Sequence, residues 1–463
     1  MAPLLIESLE AYAADLEQQL PQLLEGFGCP GASVGLLLDG QTRVVSAGIA
    51  DLATGSPVTA ATAFQIGSNT KLLTATLVMQ LVERGAVELD APVTRYLPDF
   101  HLAVPGAAER ITIRHLLTHT SGIDGDFEGV PGHGFSDSMV EEYVTAMSGV
   151  GLVHAPGAGF SYCNAGWVLL GRVVEVSHRL PFHEVLRTQL AIPLGMAHLG
   201  VAPDDIASWP LAHGTLPDPE TGAPRPAPAY VTAPACAPAG SSPVATASDL
   251  LAFLEMHLND GVSRDGSRIL SPASVLAMQE RQLDVPQLGM TQGWGLGWMV
   301  GHTQDGQRVL AHGGGTLGQL SHLQVLPDRR LALVVLTNGL GGGGLGLALI
   351  ASIFERMAGA EIPPTPSSPT PTPVLELSNY VGRYERIGTL VEVTAIEGRL
   401  QAVVTQASPV PGMEVIPPMT VWLDPVDEQT FVVDGGGIIR FQGFEGDGRA
   451  SYIFNSRRIP RTV

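Results

Sequence analysis

Ser68 and Lys71 stand three residues apart in the run Phe64-Gln65-Ile66-Gly67-Ser68-Asn69-Thr70-Lys71, which opens an apolar stretch. Leu73, Leu77, Leu81 and Val82 recur behind them at helical spacing, and Gly85 ends the run. Positions three apart share a helix face, so the spacing predicts a hydroxyl beside an amine at a helix N-terminus. A serine hydroxyl needs a neighbouring base to attack a carbonyl near neutral pH. A lysine amine is such a base when burial or another cation lowers its pKa. The helix N-terminus offers N–H groups to a developing oxyanion. The same spacing also fits a capping serine with a lysine reaching for solvent.

Two more clusters carry groups that complement this pair. In Phe160-Ser161-Tyr162-Cys163-Asn164-Ala165-Gly166 a phenol and an amide stand two apart ahead of an apolar helix. The phenol suits proton transfer if its pKa falls from about 10, and the amide suits substrate positioning. The alternative is a buried tyrosine with its hydroxyl satisfied. In Leu310-Ala311-His312-Gly313-Gly314-Gly315-Thr316 a histidine precedes three glycines on or after a strand. Glycines there let a substrate approach the backbone, and a strand N–H can join that of Ser68 in an oxyanion hole. The alternative for His312 is a core or edge histidine.

The elements that must position these clusters read as follows. The N-terminal 28 residues form an amphipathic helix with no basic n-region, which is not the pattern of a signal peptide. A hairpin turns at Asp39-Gly40. A helix start is expected at Asp90-Ala91-Pro92, and helices at 138 to 147, 165 to 176, 247 to 258 and 344 to 358. Residues 201 to 245, dense in Pro and Ala, read as a long surface excursion, with a lid as one reading. Strands are expected at 294 to 300, 307 to 311, 321 to 326 and 331 to 336. This order of elements is α+β: an antiparallel sheet flanked by helices, with a helical subdomain. Pro363 to Pro373 forms a linker, and six short strands beyond it indicate a small barrel or sandwich. The expected division is 1 to 361, a linker at 362 to 374, and 375 to 463.

Three clusters in the order Ser-x-x-Lys, Tyr-x-Asn, His-Gly-Gly on this coarse fold resemble the serine β-lactamase and penicillin-binding-protein superfamily. The resemblance is to its class C β-lactamase-like, D-aminopeptidase and esterase branch, and it runs from about residue 10 to 360. Arg114 to Gly122 and Trp294 to Trp298 are similar to recurring segments of that branch. The resemblance implies Ser68 as acylated nucleophile, Lys71 as its base partner and Tyr162 as proton shuttle. It implies Asn164 and the Gly313, Gly314 and Gly315 run as substrate-binding, with Ser68 and Gly315 N–H groups forming the oxyanion hole. His312 stands where many relatives have the Lys of Lys-Thr-Gly. A histidine is only partly charged at pH 7, so poor β-lactam turnover is expected. The C-terminal part, headed by Tyr380-Val381-Gly382-Arg383-Tyr384-Glu385, resembles a lipocalin-like domain.

Composition narrows the partners. Of 463 residues, 45 are Asp or Glu and 25 Lys or Arg, a net charge of -20. Nucleic acid and anionic membrane both require a basic face, so neither is expected. No apolar run reaches membrane-spanning length, and three scattered cysteines build no disulfide framework. A cytoplasmic enzyme without cofactor, acting on a small molecule or peptide, is the expectation, with the oligomeric state open. Gly339 to Gly344 matches G-x-G-x-x-G, but no parallel strand follows to complete a nucleotide-binding unit. His115 and His119, four apart, lack a third ligand and read as structural.

The leading expectation is therefore a serine hydrolase working through a Ser68 acyl-enzyme on a small peptide, amide or ester, D-residues included. The rival is an acyl transferase similar to penicillin-binding-protein-type thioesterases, which pass the acyl group to an amine. There Arg457 and Arg458 could reach a substrate carboxylate, against the alternative of a solvated terminus. A binding protein that uses the fold without chemistry is the third reading, against which the intact Ser68, Lys71 and Tyr162 argue.

Overall fold

The computed structural model describes residues 7–127, 134–231, 233–288, 290–364, 367–369, 373–407, 417–434, 436–444 and 446–462. Residues 128–133 and parts of the proline-rich linker and of the N-terminal run expected as helix lie outside these residues. The helices are α1 (Leu9–Phe27), α2 (Thr70–Glu83), α3 (Ile113–Leu117), α4 (Met139–Ala146), α5 (Asn164–His178), α6 (Phe182–Leu186), α7 (Ile192–Leu194), α8 (Pro203–Ile206), α9 (Ala247–Leu258), α10 (Pro272–Gln279) and α11 (Gly342–Ile353). The chain divides into two compact units. One comprises Met1–Ala91, His133–Thr145 and Trp167–Pro363; the other Pro92–Gly132, Ala146–Gly166 and Pro364–Val463.

The first unit is built on an antiparallel sheet. Its strands are β1 (Gly31–Leu38), β2 (Gln41–Asp51), β3 (Ser56–Pro57), β8 (Leu283–Leu288), β9 (Thr291–Trp294), β10 (Met299–His302), β11 (Arg308–Thr316), β12 (Gln319–Leu326) and β13 (Leu331–Thr337), in spatial order β3-β2-β1-β13-β12-β11-β10-β9-β8. Between β3 and β8 in sequence lie the short strands β4 (Phe64–Gln65), β5 (Thr215–Pro217), β6 (Pro224–Pro226) and β7 (Val244–Ala245), where β4 pairs with β7 and β5 with β6. Asp39 and Gly40 both take positive φ, +49° and +81°, as a tight hairpin turn requires. The central pair, β1 and β13, is almost wholly buried. Ala32, Val34, Leu36, Leu333 and Val335 join α1 and α11 in one core. On the other face Gly35 meets α9, where an added Cβ would lie 3.1 Å from Leu251.

Several expectations shift. The run from Asp90 forms only a 3-10 turn, Val93–Arg95, since Pro92 supplies the entry but Pro98 follows too soon for a helix to continue. The strand expected over 294 to 300 is split into β9 and β10, because Gly295 to Trp298 makes the turn between them. The helix α2 shows no solvent face: every residue from Thr70 to Met79 is buried, Lys71 included. The 201 to 245 excursion is tied in rather than loose. It carries β5, β6 and the 3-10 turn Pro234–Ala239, and Thr74 Oγ1 donates to Pro238 O at 2.8 Å. Gly339 to Gly344 follows β13, which lies between two antiparallel neighbours, so no nucleotide-binding crossover exists there.

His257 is buried in α9 with neither ring nitrogen partnered among the described residues. Its ring is edge-on to Phe253 and Trp298, at 4.8 and 5.3 Å. Burial pushes its pKa down to about 3. The unfolded chain takes up this proton below pH 6.5 and the folded chain does not, so folding stability falls as pH drops from about 6.5 toward 3. Between pH 8 and pH 5 this one ring accounts for a loss of about 2 kcal/mol. His257→Leu is expected to raise Tm and to widen its advantage over wild type at pH 5. Thermal unfolding at both pH values checks this, and an equal gain at both would contradict the titration.

The second unit contains an eight-stranded antiparallel barrel: β14 (Gly382–Arg386), β15 (Thr389–Ile396), β16 (Arg399–Gln406), β17 (Met419–Pro425), β18 (Thr430–Val433), β19 (Ile438–Gln442), β20 (Tyr452–Phe454) and β21 (Arg458–Pro460). Each strand pairs with the next, and a bridge from Tyr384 to Arg461 nearly closes the ring. Tyr380, Tyr384, Phe431 and Phe441 fill part of the interior. A cavity of about 430 Å³ occupies another part, lined by aliphatic side chains with Asp126, Arg386 and Arg457.

Candidate active site

Ser68 sits in a 3-10 turn, Gly67–Asn69, that runs directly into α2. Lys71, in the first turn of α2, donates from Nζ to Ser68 Oγ at 2.9 Å and to Ala239 O at 2.7 Å. Lys71 is fully buried and Ser68 partly exposed. The turn is pinned by side chains from elsewhere in the unit. Ser321 Oγ donates to Ile66 O at 2.8 Å and accepts from Asn69 Nδ2 at 2.7 Å. Gln319 Oε1 accepts the Gln65 N–H at 3.0 Å. Thr70 Oγ1 donates to Gly67 O at 2.8 Å.

Three glycines let these backbones meet. Gly67 takes φ +53°, and a Cβ there would lie 2.5 Å from Gly315 N. A Cβ on Gly314 would lie 2.1 Å from Ile66 O. Gly240 takes φ +113°, and its Cβ would lie 2.0 Å from Gly67 O and 2.8 Å from Ser68 N. The nearest atoms at Gly67 and Gly240 are all backbone, and Gly314 also meets Ser321 Oγ at 2.5 Å, so nothing at Gly67 or Gly240 can give way by a side-chain rotation. Gly240→Ala is therefore expected to displace the Ser68 turn and lower kcat/KM by at least about 100-fold, since strained positions cost about 1–3 kcal/mol before any misalignment. Gly55→Ala is the control: it shares a positive φ, +72°, but meets nothing within 4 Å. Steady-state kinetics of both variants separates crowding from backbone strain.

His312 is on β11, opposite Leu323 of β12. The neighbouring β10 pairs only with Arg308 to Ala311, so His312 to Thr316 have no strand on that side among the described residues. His312 is buried, and its Nδ1 lies 2.8 Å from Gly313 O, which only a protonated nitrogen can satisfy. The Nε2 atom has no partner among the described residues. Burial, then the charge of Lys71, pushes the pKa down to about 3. The expected partial charge at pH 7 is thus corrected: burial chiefly holds His312 neutral, and Lys71, whenever it is protonated, disfavours the charged ring further.

Tyr162 and Asn164 belong to the second unit. Tyr162 N–H donates to Ser456 O at 2.9 Å, and its ring stacks on His119 with centroids 4.2 Å apart. His119 Nδ1 accepts the Cys163 N–H at 2.8 Å, and His115 closes a capping box with Thr112 at the start of α3. Both histidines therefore have structural partners, and among the described residues no group of three or more His, Cys, Asp or Glu could hold a metal. Cys163 is buried against Gly125, where a Cβ would lie 2.4 Å from its Sγ. Burial pushes its thiol up to about 11, so it remains protonated packing. All three cysteines are free.

Sequence reading missed Asp126 and Arg386 and weighed Arg457 and Arg458 as a solvated end. The structure corrects the last point. Arg458 donates from Nε to Phe160 O at 3.2 Å and from its backbone N–H to Ser161 Oγ at 3.1 Å, and the Arg457 guanidinium lies 4.9 Å from the centre of the Tyr162 ring. No local pattern signals a partner about 300 residues away. The Gly240 and Ala239 contacts were likewise hidden in a segment without period.

Comparison with known proteins identifies the family. The family model described as Beta-lactamase matches residues 15–356. Penicillin-binding protein 4 of Amycolatopsis lactamdurans is 36% identical over 362 residues, covering 78% of this chain and 94% of that protein. Esterase EstB of Burkholderia gladioli is 31% identical over 281 residues, covering 54% and 70%. The crystal structure of SurE with D-Leu superposes with a TM-score of 0.74 at 27% identity, covering 98% of this chain and all of that one. No helix among the described residues is long and apolar enough to cross a membrane. The chain belongs to the β-lactamase and penicillin-binding-protein-like serine hydrolase superfamily, and it carries a C-terminal eight-stranded barrel.

Proposed function

We propose that this protein is a serine hydrolase that forms an acyl-enzyme on Ser68 from a small peptide, amide or ester. The observation that carries the reading is the 2.9 Å contact between Lys71 Nζ and Ser68 Oγ on a turn fixed by packed glycines. Lys71, as neutral amine, takes the hydroxyl proton while Oγ attacks the substrate carbonyl carbon. The negative charge that gathers on the carbonyl oxygen is met by the N–H groups of Ser68 and Gly315. Collapse of that adduct breaks the bond to the leaving group, which receives a proton through Tyr162, and Asn164 holds the substrate amide. Water then attacks the ester on Ser68 and regenerates the hydroxyl.

His312 takes the place of a lysine that would pair with a carboxylate. As a neutral ring with an unpartnered Nε2 it offers an acceptor and no charge, so β-lactam turnover is slow or absent. The esterase relative and the D-Leu of the SurE structure support ester or D-residue substrates. The second reading is transfer of the acyl group from Ser68 to an amine, which attacks the same ester in place of water. Incubation with p-nitrophenyl esters, D- and L-aminoacyl amides and peptidyl thioesters, followed by mass spectrometry of the Ser68 peptide, tests both. A mass increment on Ser68 with free acid as product supports hydrolysis, a cyclic or amide product supports transfer, and no increment from any substrate rejects the acyl-enzyme.

A further inference from the structure

A network in the second unit joins the barrel to both Tyr162 and Asn164, and the mechanism above leaves it unused. Asp126 Oδ1 accepts from Asn164 Nδ2 at 3.2 Å. Asp126 Oδ2 pairs with Arg386 Nη1 at 2.8 Å and with Arg457 Nε at 2.7 Å. Arg386 also reaches Asp124 Oδ1 at 3.3 Å, and Asp124 Oδ2 accepts the Ile387 N–H at 2.8 Å. The Arg386 side chain is only 3% exposed, so the anchor is fixed rather than a surface ion pair.

The network has a chemical meaning at each end. A carboxylate only accepts, so Asp126 fixes which end of the Asn164 amide faces it. Nδ2 is the end turned to Asp126. At the other end the Arg457 guanidinium lies 4.9 Å from the Tyr162 ring centre. His119, stacked on the same ring, uses Nδ1 as an acceptor, so its imidazole is neutral and adds no charge. Cys163 stays a thiol, and Arg458 is bound to Phe160 O. Asp126 offsets part of the Arg457 charge, but it is shared with Arg386. Among these groups Arg457 is the cation set over the phenol, and His312 is neutral.

We propose that Arg457 and Asp126 are positioning residues: Arg457 orients Tyr162 and stabilises its phenolate, and Asp126 fixes the rotamer in which Asn164 engages the substrate amide. This rests on the reading of Tyr162 as proton carrier and Asn164 as substrate ligand. It makes the barrel part of the working machinery rather than an appendage.

The test uses the full chain with 3-fluorotyrosine placed at position 162, titrated by fluorine NMR. A unit charge near a phenol shifts its ionisation by about one pH unit or more. Arg457→Met is expected to raise the midpoint by about that amount, and Arg457→Lys to keep most of the wild-type value. Arg457→Gln reads the same midpoint should methionine disturb folding. Asp126→Asn is expected to lower kcat/KM for an aminoacyl p-nitroanilide at least about tenfold more than for p-nitrophenyl acetate, which has no amide for Asn164 to engage. An unmoved midpoint in the uncharged variants, or equal losses on amide and ester, would show a purely structural network. A Tyr162→Phe variant that turns over normally removes this proposal, whereas the Ser68 acyl-enzyme is judged separately by its mass increment.

Discussion

Ser68→Ala is expected to lower kcat at least about ten-thousand-fold on any substrate the protein turns over, the scale seen when a nucleophile is removed from a cooperating set. The fold should tolerate the change. Lys71 keeps its bond to Ala239 O, and Gly67, Gly240 and Gly314 continue to hold the turn. Tm is therefore expected to stay within a few degrees of wild type. The paired measurement is turnover of p-nitrophenyl acetate and covalent labelling by an aryl phosphonate. Residual activity within tenfold of wild type, or a phosphonate adduct elsewhere, would sink the assignment of Ser68.

Lys71→Met separates chemistry from architecture more sharply. Methionine keeps an unbranched apolar stem of similar reach and removes only the amine. Loss of a positioned base costs about a hundredfold to ten-thousandfold, and the proposed nucleophile lies 2.9 Å from the Lys71 amine. Stability is pulled both ways. The carbonyl of Ala239 loses its donor, a cost of about 1–3 kcal/mol, while a buried amine is relieved of desolvation. The expectation is a variant nearly as stable as wild type and at least about a thousandfold slower. The opposite result, a variant that unfolds early but turns over near normally when folded, would make Lys71 a strut between the turn and Ala239.

What the sequence could reveal followed the range of its signals. Ser68 and Lys71 are three apart, and a local period placed them together. The hairpin at Asp39-Gly40, the helices near 139, 164 and 247 and most strands from 308 onward are likewise short-range patterns, and they stand close to where they were expected. The β14 and β21 strands at the ends of the barrel were not anticipated, because Gly382 to Arg386 and Arg458 to Pro460 carry no clean alternation. The charge state of His312 depends on burial and on Lys71, about 240 residues away, neither of which a single sequence displays. Gly240 looked like one small residue among many in a proline-rich segment. Its obligation arises from Gly67 O at the far side of a fold-level contact. Family resemblance supplied what periodicity lacked: it singled out Tyr162, Asn164 and His312 from ordinary buried residues.

The second unit is assembled from three separate lengths of chain, two of them from within the span matched by the family and the third bearing the barrel. Shortening the protein at the prolines is therefore expected to leave the second unit incomplete. It would take away the last strand and its arginines while leaving Phe160 to Tyr162 behind with their hydrogen bonds cut. The prolines mark one crossing between the two units, at Pro363 and Pro364, but the second unit also takes in Pro92–Gly132 and Ala146–Gly166, so a cut there parts the barrel from lengths of chain that belong with it.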